Sequence, residues 1–182
     1  MKAVVMYESM FGNTRAVAEA IGAGLGASWH VIVGSVAGLG DDALTGSDLV
    51  VAGGPTHVHG MSQPRTRLAA KTQAAEVDAL VALEPNATSP GLREWFQRRP
   101  AAPTYAAAFD TRVAMSPVLG GRASPKIARS LQRLGCQLLA RPESFLVTRR
   151  TTQLLPGELD RAFLWGRQLS EAIHHNQKVS AS

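Results

Sequence analysis

The stretch YESMFGNTRAVAEAI, residues 7–21, decides how this chain is read. It joins the end of an apolar strand, KAVVMY (2–7), to a polar loop and then to a run in which Val17, Ala18, Ile21 and Leu25 recur at helical spacing. A strand-to-helix junction presents free backbone N–H groups and the positive end of a helix dipole. A phosphate can rest on such donors without any lysine. Ser9, Asn13 and Thr14 add side-chain donors, and Gly12 lets the backbone turn tightly. The loop has neither the G-x-x-x-x-G-K-[ST] spacing of a nucleoside-triphosphate site nor the G-x-G-x-x-G of a dinucleotide fold. Two readings stand on this loop alone: an anion site, or a helix simply capped by Asn13 or Thr14.

Working outward, strands alternate with helices. WHVIVGSV (29–36) reads as a second strand, DLVVAGG (48–54) as a third buried on both faces, and TYAAAFD (104–110) as a fourth. A fifth starts near Cys136, runs to about Ala140 and continues after Pro142 through SFLVT (144–148). GAGLGA ends the first helix, residues 125–134 form an amphipathic helix with Ile127, Leu131 and Leu134 on one face, and PGELDRAFLWGRQLSEAI closes the chain before a polar tail from His174 that is expected to fray. Between the third and fourth strands, Ser62 and Pro64 open a helix expected to reach about Leu83, and LREWFQRR forms a short one. The pattern predicts a parallel sheet with right-handed crossovers, helices on both faces, and a ligand at the carboxyl ends of the strands.

Composition narrows the function. The chain has 182 residues, 45% apolar and 18% charged, which suits one globular α/β domain. Its single cysteine, Cys136, rules out an intrachain disulfide framework and reads as a core thiol. No segment approaches the roughly 20 apolar residues of a membrane span, and the opening run is too short for a signal peptide, so a cytoplasmic location is expected. Charge is uneven. Residues 1–90 hold five Lys/Arg against eight Asp/Glu, a net of −3, and residues 91–182 hold fourteen against six, a net of +8. Few aromatics and no basic stripe argue against nucleic acid, whereas an acidic partner, an anionic substrate or a merely solvated surface each suit that charge.

Two further loops follow strand ends. GGPTHVHGM (53–61) follows the third strand, and FDTRV (109–113) with Gly120 and Gly121 follows the fourth. With residues 9–14 they surround one crevice. Here the sequence resembles the flavodoxin-like family, whose five-stranded parallel sheet has the order 2-1-3-4-5 in a three-layer α/β/α sandwich. SMFGNT (9–14) is similar to that family's phosphate loop, with Phe11 in place of the usual central hydroxyl residue. GGPTHVHG resembles the loop flanking the isoalloxazine, and FDTR stands where the second flanking loop belongs. The resemblance covers most of the chain except residues 62–103 and the tail.

The resemblance implies an FMN-binding redox protein. Ser9, Met10, Phe11, Gly12, Asn13 and Thr14 would then receive the phosphate. Pro55, Thr56, His57, Val58, His59 and Gly60 would line one side of the ring, and Phe109, Asp110, Thr111 and Arg112 the other. Reduced flavin would pass electrons or hydride to a redox partner protein or a small acceptor such as a quinone, with NAD(P)H a candidate donor. Alternatives are a flavodoxin-like protoporphyrinogen dehydrogenase, a non-catalytic electron-transfer module docking on an acidic partner through the basic half, and a flavodoxin fold that has lost FMN. The two flanking loops lack the Trp and Tyr that commonly sandwich the flavin in carriers. His57, His59 and Met61 occupy one and Thr111 with Arg112 the other, so a less negative potential and two-electron chemistry are expected. His57 and His59 either line the ring or are solvated loop residues. The peptide between His59 and Gly60 is a candidate for the family's redox-linked flip, because glycine tolerates both orientations. The elaborated connection 62–103 would cover the flavin or build an oligomer, with Arg65 and Arg67 either guiding an anionic group or lying on the surface. Trp95 and Phe96 are expected to pack the short helix onto the sheet. No residues complete a metal site.

Overall fold

Ala3, Val4, Val5 and Met6 are all essentially inaccessible to solvent, so the first strand is buried on both faces. In the computed structural model, which describes residues 1–40, 42–57, 60–76, 83–98, 102–116, 120–149 and 151–180, this strand β1 (Lys2–Tyr7) is an interior strand of a sheet, paired on both sides. On one side it pairs in parallel with β2 (His30–Ser35), and on the other with β3 (Leu49–His57). Next comes β5 (Tyr105–Val113), parallel to β3. The fifth position is shared by β6 (Gln137–Leu138) and β7 (Glu143–Val147), both parallel to β5. The five positions therefore follow the order 2-1-3-4-5, the flavodoxin-like arrangement. A two-residue strand β4 (Gly60–Met61) folds back antiparallel on the end of β3, pairing Thr56 with Met61 and His57 with Gly60.

The break in the fifth strand has a register cause. Ala106 faces Leu138 and Phe109 faces Glu143, so five residue steps on one strand oppose three on the other. The surplus bulges out before Pro142, which has no N–H to give a ladder.

Side chains alternate across the sheet and form two cores. Ala3, Val5, Leu49, Val51 and Phe109 face α1 (Asn13–Leu25) and α5 (Glu158–Ser180), meeting Val17, Ile21, Trp165, Leu169 and Ile173. Val4, Met6, Val50, Ala52 and Ala108 face α3 (Leu92–Gln97) and α4 (Ser124–Arg133), meeting Leu92, Trp95, Ile127, Leu131 and Cys136. The remaining helix, α2 (Pro64–Glu76), precedes α3 in the connection between β4 and β5.

Several boundaries differ from expectation. β3 and β5 run past residues 54 and 110 because the β4 hairpin and β7 supply pairing partners beyond the strand cores. Much of what reads as flanking loop is thus strand. α5 continues through the polar tail to Ser180 instead of fraying at His174. α2 spans Pro64–Glu76, and the rest of the helix expected up to Leu83 falls largely on residues 77–82, outside the described residues. The first glycine run does more than end a helix. A Cβ on Gly24 would lie 2.1 Å from the Phe163 carbonyl oxygen and one on Gly166 2.3 Å from that of Ile21, so α1 and α5 meet backbone to backbone.

Candidate functional site

β1 delivers the chain to Glu8, whose N–H donates to the Gly53 carbonyl at 2.9 Å, and residues 9–12 then turn into α1. Gly12 adopts φ +83°, a left-handed conformation that disfavours any side chain. Its N–H donates to Ser9 Oγ at 3.1 Å. No side chain caps α1, so the N–H groups of its first turn, at Asn13, Thr14 and Arg15, have no acceptor within the helix. Asn13 and Thr14 line a cavity of about 390 Å³ at the carboxyl edge of the sheet. That lies within the roughly 300–1,000 Å³ typical of small-molecule sites.

The loop contributes Ser9, Met10, Phe11, Asn13 and Thr14 to the cavity, β3 contributes Pro55, Thr56 and His57, and β5 contributes Thr111 and Arg112. The three segments expected around one crevice do meet there. Thr14 and Thr111 share a buried hydrogen bond of 2.7 Å that ties the first loop to β5. Thr56 Oγ1 accepts the Ala123 N–H at 2.9 Å, anchoring the end of β3 to the start of α4.

Not every candidate residue lines the cavity. Gly12 shapes the loop from behind. Gly60 is buried in the hairpin, where a Cβ would come within 2.5 Å of Lys126 Nζ. Phe109 packs in the core against Phe145 and Trp165, with ring centroids 6.1 and 6.5 Å away. Asp110 points to the opposite face of the sheet, where Oδ2 accepts the Ser124 N–H at 2.7 Å and caps α4. Strand alternation explains Asp110: with Thr111 on the face that reaches Thr14, Asp110 projects to the other one. Val58 and His59, and with them the expected peptide flip, lie outside the described residues.

Asn13 is also used differently from expectation. Its amide donates to the Thr152 carbonyl, so a turn after β7 is fastened across the start of α1. Thr152 holds φ +48°, rare for a non-glycine residue, and lines the cavity with Val147. Thr66 and Ala69 on α2 form another wall. None of these was legible from local motifs, because a turn about 140 residues away and a helix in the variable connection carry no phosphate- or flavin-loop signature. Glu84 was missed too. Its N–H donates to the Met10 carbonyl at 2.9 Å, and its carboxylate sits beside Gly12, 3.4 Å from Arg15 Nη2.

Arg112 donates from Nη1 to the carbonyls of Met115 at 2.7 Å and Val113 at 3.3 Å. Among the described residues its Nε is buried with no hydrogen-bond partner, and the side chain brings a positive charge to the cavity wall. Burial, and secondarily the Arg67 charge, hold the His57 imidazole below its usual pKa of 6.5, so the ring is neutral at neutral pH.

Behind the cavity lies a buried polar cluster. Ser62 Oγ donates to Glu8 Oε1 and accepts from Arg67 Nη1 at 2.8 Å. Arg67 Nη2 lies 3.2 Å from Glu94 Oε2, and Nη1 is 4.0 Å from Glu8 Oε1. Glu8 Oε2 accepts the Leu92 N–H at 3.1 Å, and Glu94 Oε2 accepts the Gly91 N–H at 2.8 Å. Burial opposes ionisation of Glu94, yet the Gly91 N–H and Arg67 outweigh it and lower its pKa. Arg67 is 2% exposed, so it clamps the connection instead of receiving an anion from solvent; Arg65 is exposed. Trp95 does pack onto the sheet, with Phe96 edge-on at 5.2 Å.

Among the described residues, no three His, Cys, Asp or Glu side chains are grouped to hold a metal, and no helix is long and apolar enough to cross a membrane. No family profile matches the sequence, and no curated protein matches it. Solved structures do. An archaeal flavodoxin is 23% identical, with a TM-score of 0.64, covering 96% of this chain and 100% of its own. Oxidised flavodoxin 1 from Bacillus cereus is 15% identical, with a TM-score of 0.65 and coverages of 94% and 98%. The flavodoxin-like WrbA-like protein from Agrobacterium tumefaciens is 17% identical, with a TM-score of 0.56 and coverages of 96% and 98%. The chain has a flavodoxin-like fold over nearly its whole length.

Proposed function

We propose that the chain binds FMN in the cavity at the start of α1 and acts as a flavin-dependent redox protein. One observation carries this reading: the uncapped first turn of α1, opened by the left-handed Gly12, presents its free N–H groups where the three sheet segments converge. A phosphate monoester matches those donors and the helix dipole. The fit extends to the wall formed by β5, where Arg112 brings a guanidinium charge to the cavity.

In this reading Asn13, Thr14 and Arg15 hold the phosphate through their N–H groups, and Ser9 fixes the loop that presents them. Pro55, Thr56 and His57 form one wall for the ring system, and Thr111, Arg112 and Val113 the other. The flavin supplies the electron and hydride chemistry when bound, while the protein supplies position and field. Arg112 brings positive charge to its wall and the neutral His57 brings none to the other, so negative charge is favoured on the Arg112 side. Neither wall has a Trp or Tyr among the described lining residues, which supports a less negative potential and two-electron transfer to a small acceptor such as a quinone.

The experiment is to purify the protein, release any chromophore and identify it by mass, then assay electron transfer. FMN with NAD(P)H-dependent quinone turnover supports an enzyme. FMN with activity only between a reductase and a protein acceptor supports a carrier. No flavin, and no uptake of added FMN, refutes the proposal.

A further inference from the structure

We propose a second ligand site, independent of the cavity above: the groove between α3 and α4 binds a small organic carboxylate carried on an apolar body. The groove encloses about 550 Å³, more than the first cavity. Its two cations are Arg93 and Arg133. Arg93 is half-buried and held rigidly, because Nε donates to the Ser62 carbonyl and Nη2 to the Met61 carbonyl, each at 3.2 Å. A guanidinium has five N–H donors, so among the described residues the two carbonyls leave Nη1 and one Nη2 hydrogen unspent.

Arg15, Arg67, Arg161 and Arg167 each lie against a glutamate. Among the described residues, no carboxylate pairs with Arg93 or Arg133, and none lines the groove. An immobilised guanidinium facing no acid is preorganised for a planar anion, which it meets through paired N–H donors. The apolar contribution comes from Met61, Phe96 and Leu134, which gives a hydrocarbon or aromatic body somewhere to pack. Bare phosphate would leave those three side chains wet, so they favour a carboxylate with carbon attached.

The groove lies on the far side of the hairpin that walls the first cavity. Met61 lines the groove and pairs in register with Thr56, which lines the cavity. Arg93, by holding the Met61 carbonyl, joins the second site to that hairpin.

The test is a ¹H–¹⁵N NMR titration of the full chain with benzoate, alongside inorganic phosphate and a short acidic peptide. Saturable shifts with benzoate at residues 93–97 and 130–134, at least tenfold weaker binding for phosphate, and a tenfold loss of benzoate affinity in Arg133→Gln support the site. Arg133 is exposed, so that variant keeps its fold, and Arg129→Gln on the same helix, outside the groove, keeps wild-type affinity. Non-saturating shifts, equal affinity for phosphate, response to the acidic peptide alone, or unchanged benzoate binding in Arg133→Gln each overturn it.

Discussion

Replacing Arg67 with methionine removes the guanidinium while keeping an apolar stem in the space it crossed. Glu8 and Glu94 then face each other's surroundings without a cation. The side chains of Arg67, Glu8 and Glu94 are 3%, 8% and 27% exposed, so little water is available to replace it. At an effective dielectric of about 20, ion separations of 3.2 and 4.0 Å correspond to gross attractions of roughly 4–5 kcal/mol each. Desolvation offsets most of that in the intact cluster, but removing one partner leaves the penalty standing, at about 3–5 kcal/mol. For a domain of this size that lowers Tm by roughly 6–20 °C. The loss also depends on pH. The folded-state pKa of Glu94 is lowered, so its contribution is present above the unfolded value of about 4.3 and is lost as pH falls through the folded one. Without Arg67 that contribution shrinks, and wild type and variant converge on acidification. Urea denaturation of both proteins from pH 8 down to about pH 2.5, below the folded pKa of Glu94, measures this. A loss below about 1 kcal/mol at pH 7, or one that does not shrink in acid, would refute the clamp.

Other consequences follow from single residues. Gly12→Ala forces a side chain into φ +83° with its Cβ 3.1 Å from Glu84 Oε1; a stability loss of about 1–2 kcal/mol in urea melts is expected, with weaker FMN uptake in a flavin titration. His57 has a folded pKa below its unfolded 6.5, so its contribution to stability is intact above about pH 6.5 and is lost as pH falls through the folded value. His57→Gln flattens that limb of the stability profile, and NMR titration of the imidazole in Arg67→Met finds its pKa moved up towards 6.5. Cys136 is 5% exposed and burial raises its thiol pKa, so a thiol reagent at pH 8 reacts slowly with folded protein and rapidly in urea.

The sheet and the meeting of three segments at its edge were legible because each signal is local. Apolar runs of strand length, helical periodicity after Thr14, and Gly-Pro-Thr or Asp-Thr-Arg at strand ends are all contained in a few residues. The mistakes concern direction and distance. FDTR was read as a unit, yet a strand sends alternate residues to opposite faces, so Phe109 enters the core beside Phe145 while Asp110 caps α4. The phase of that alternation was available in principle, since a Thr111 facing Thr14 obliges Asp110 to face away. Arg67 gave no local sign of burial, because Glu8 and Glu94 lie far from it in the chain. Likewise, nothing near Asn13 reveals that Thr152 will claim its amide.

The uncapped start of α1 is proposed to hold a phosphate monoester. Calorimetric titration of the flavin-free protein with FMN and with riboflavin isolates that group, because the two ligands share the ring. Charge-assisted hydrogen bonds of about 1.5–3 kcal/mol each predict FMN binding at least about 100-fold tighter. Equal affinity for the two, or no binding of either, would contradict it.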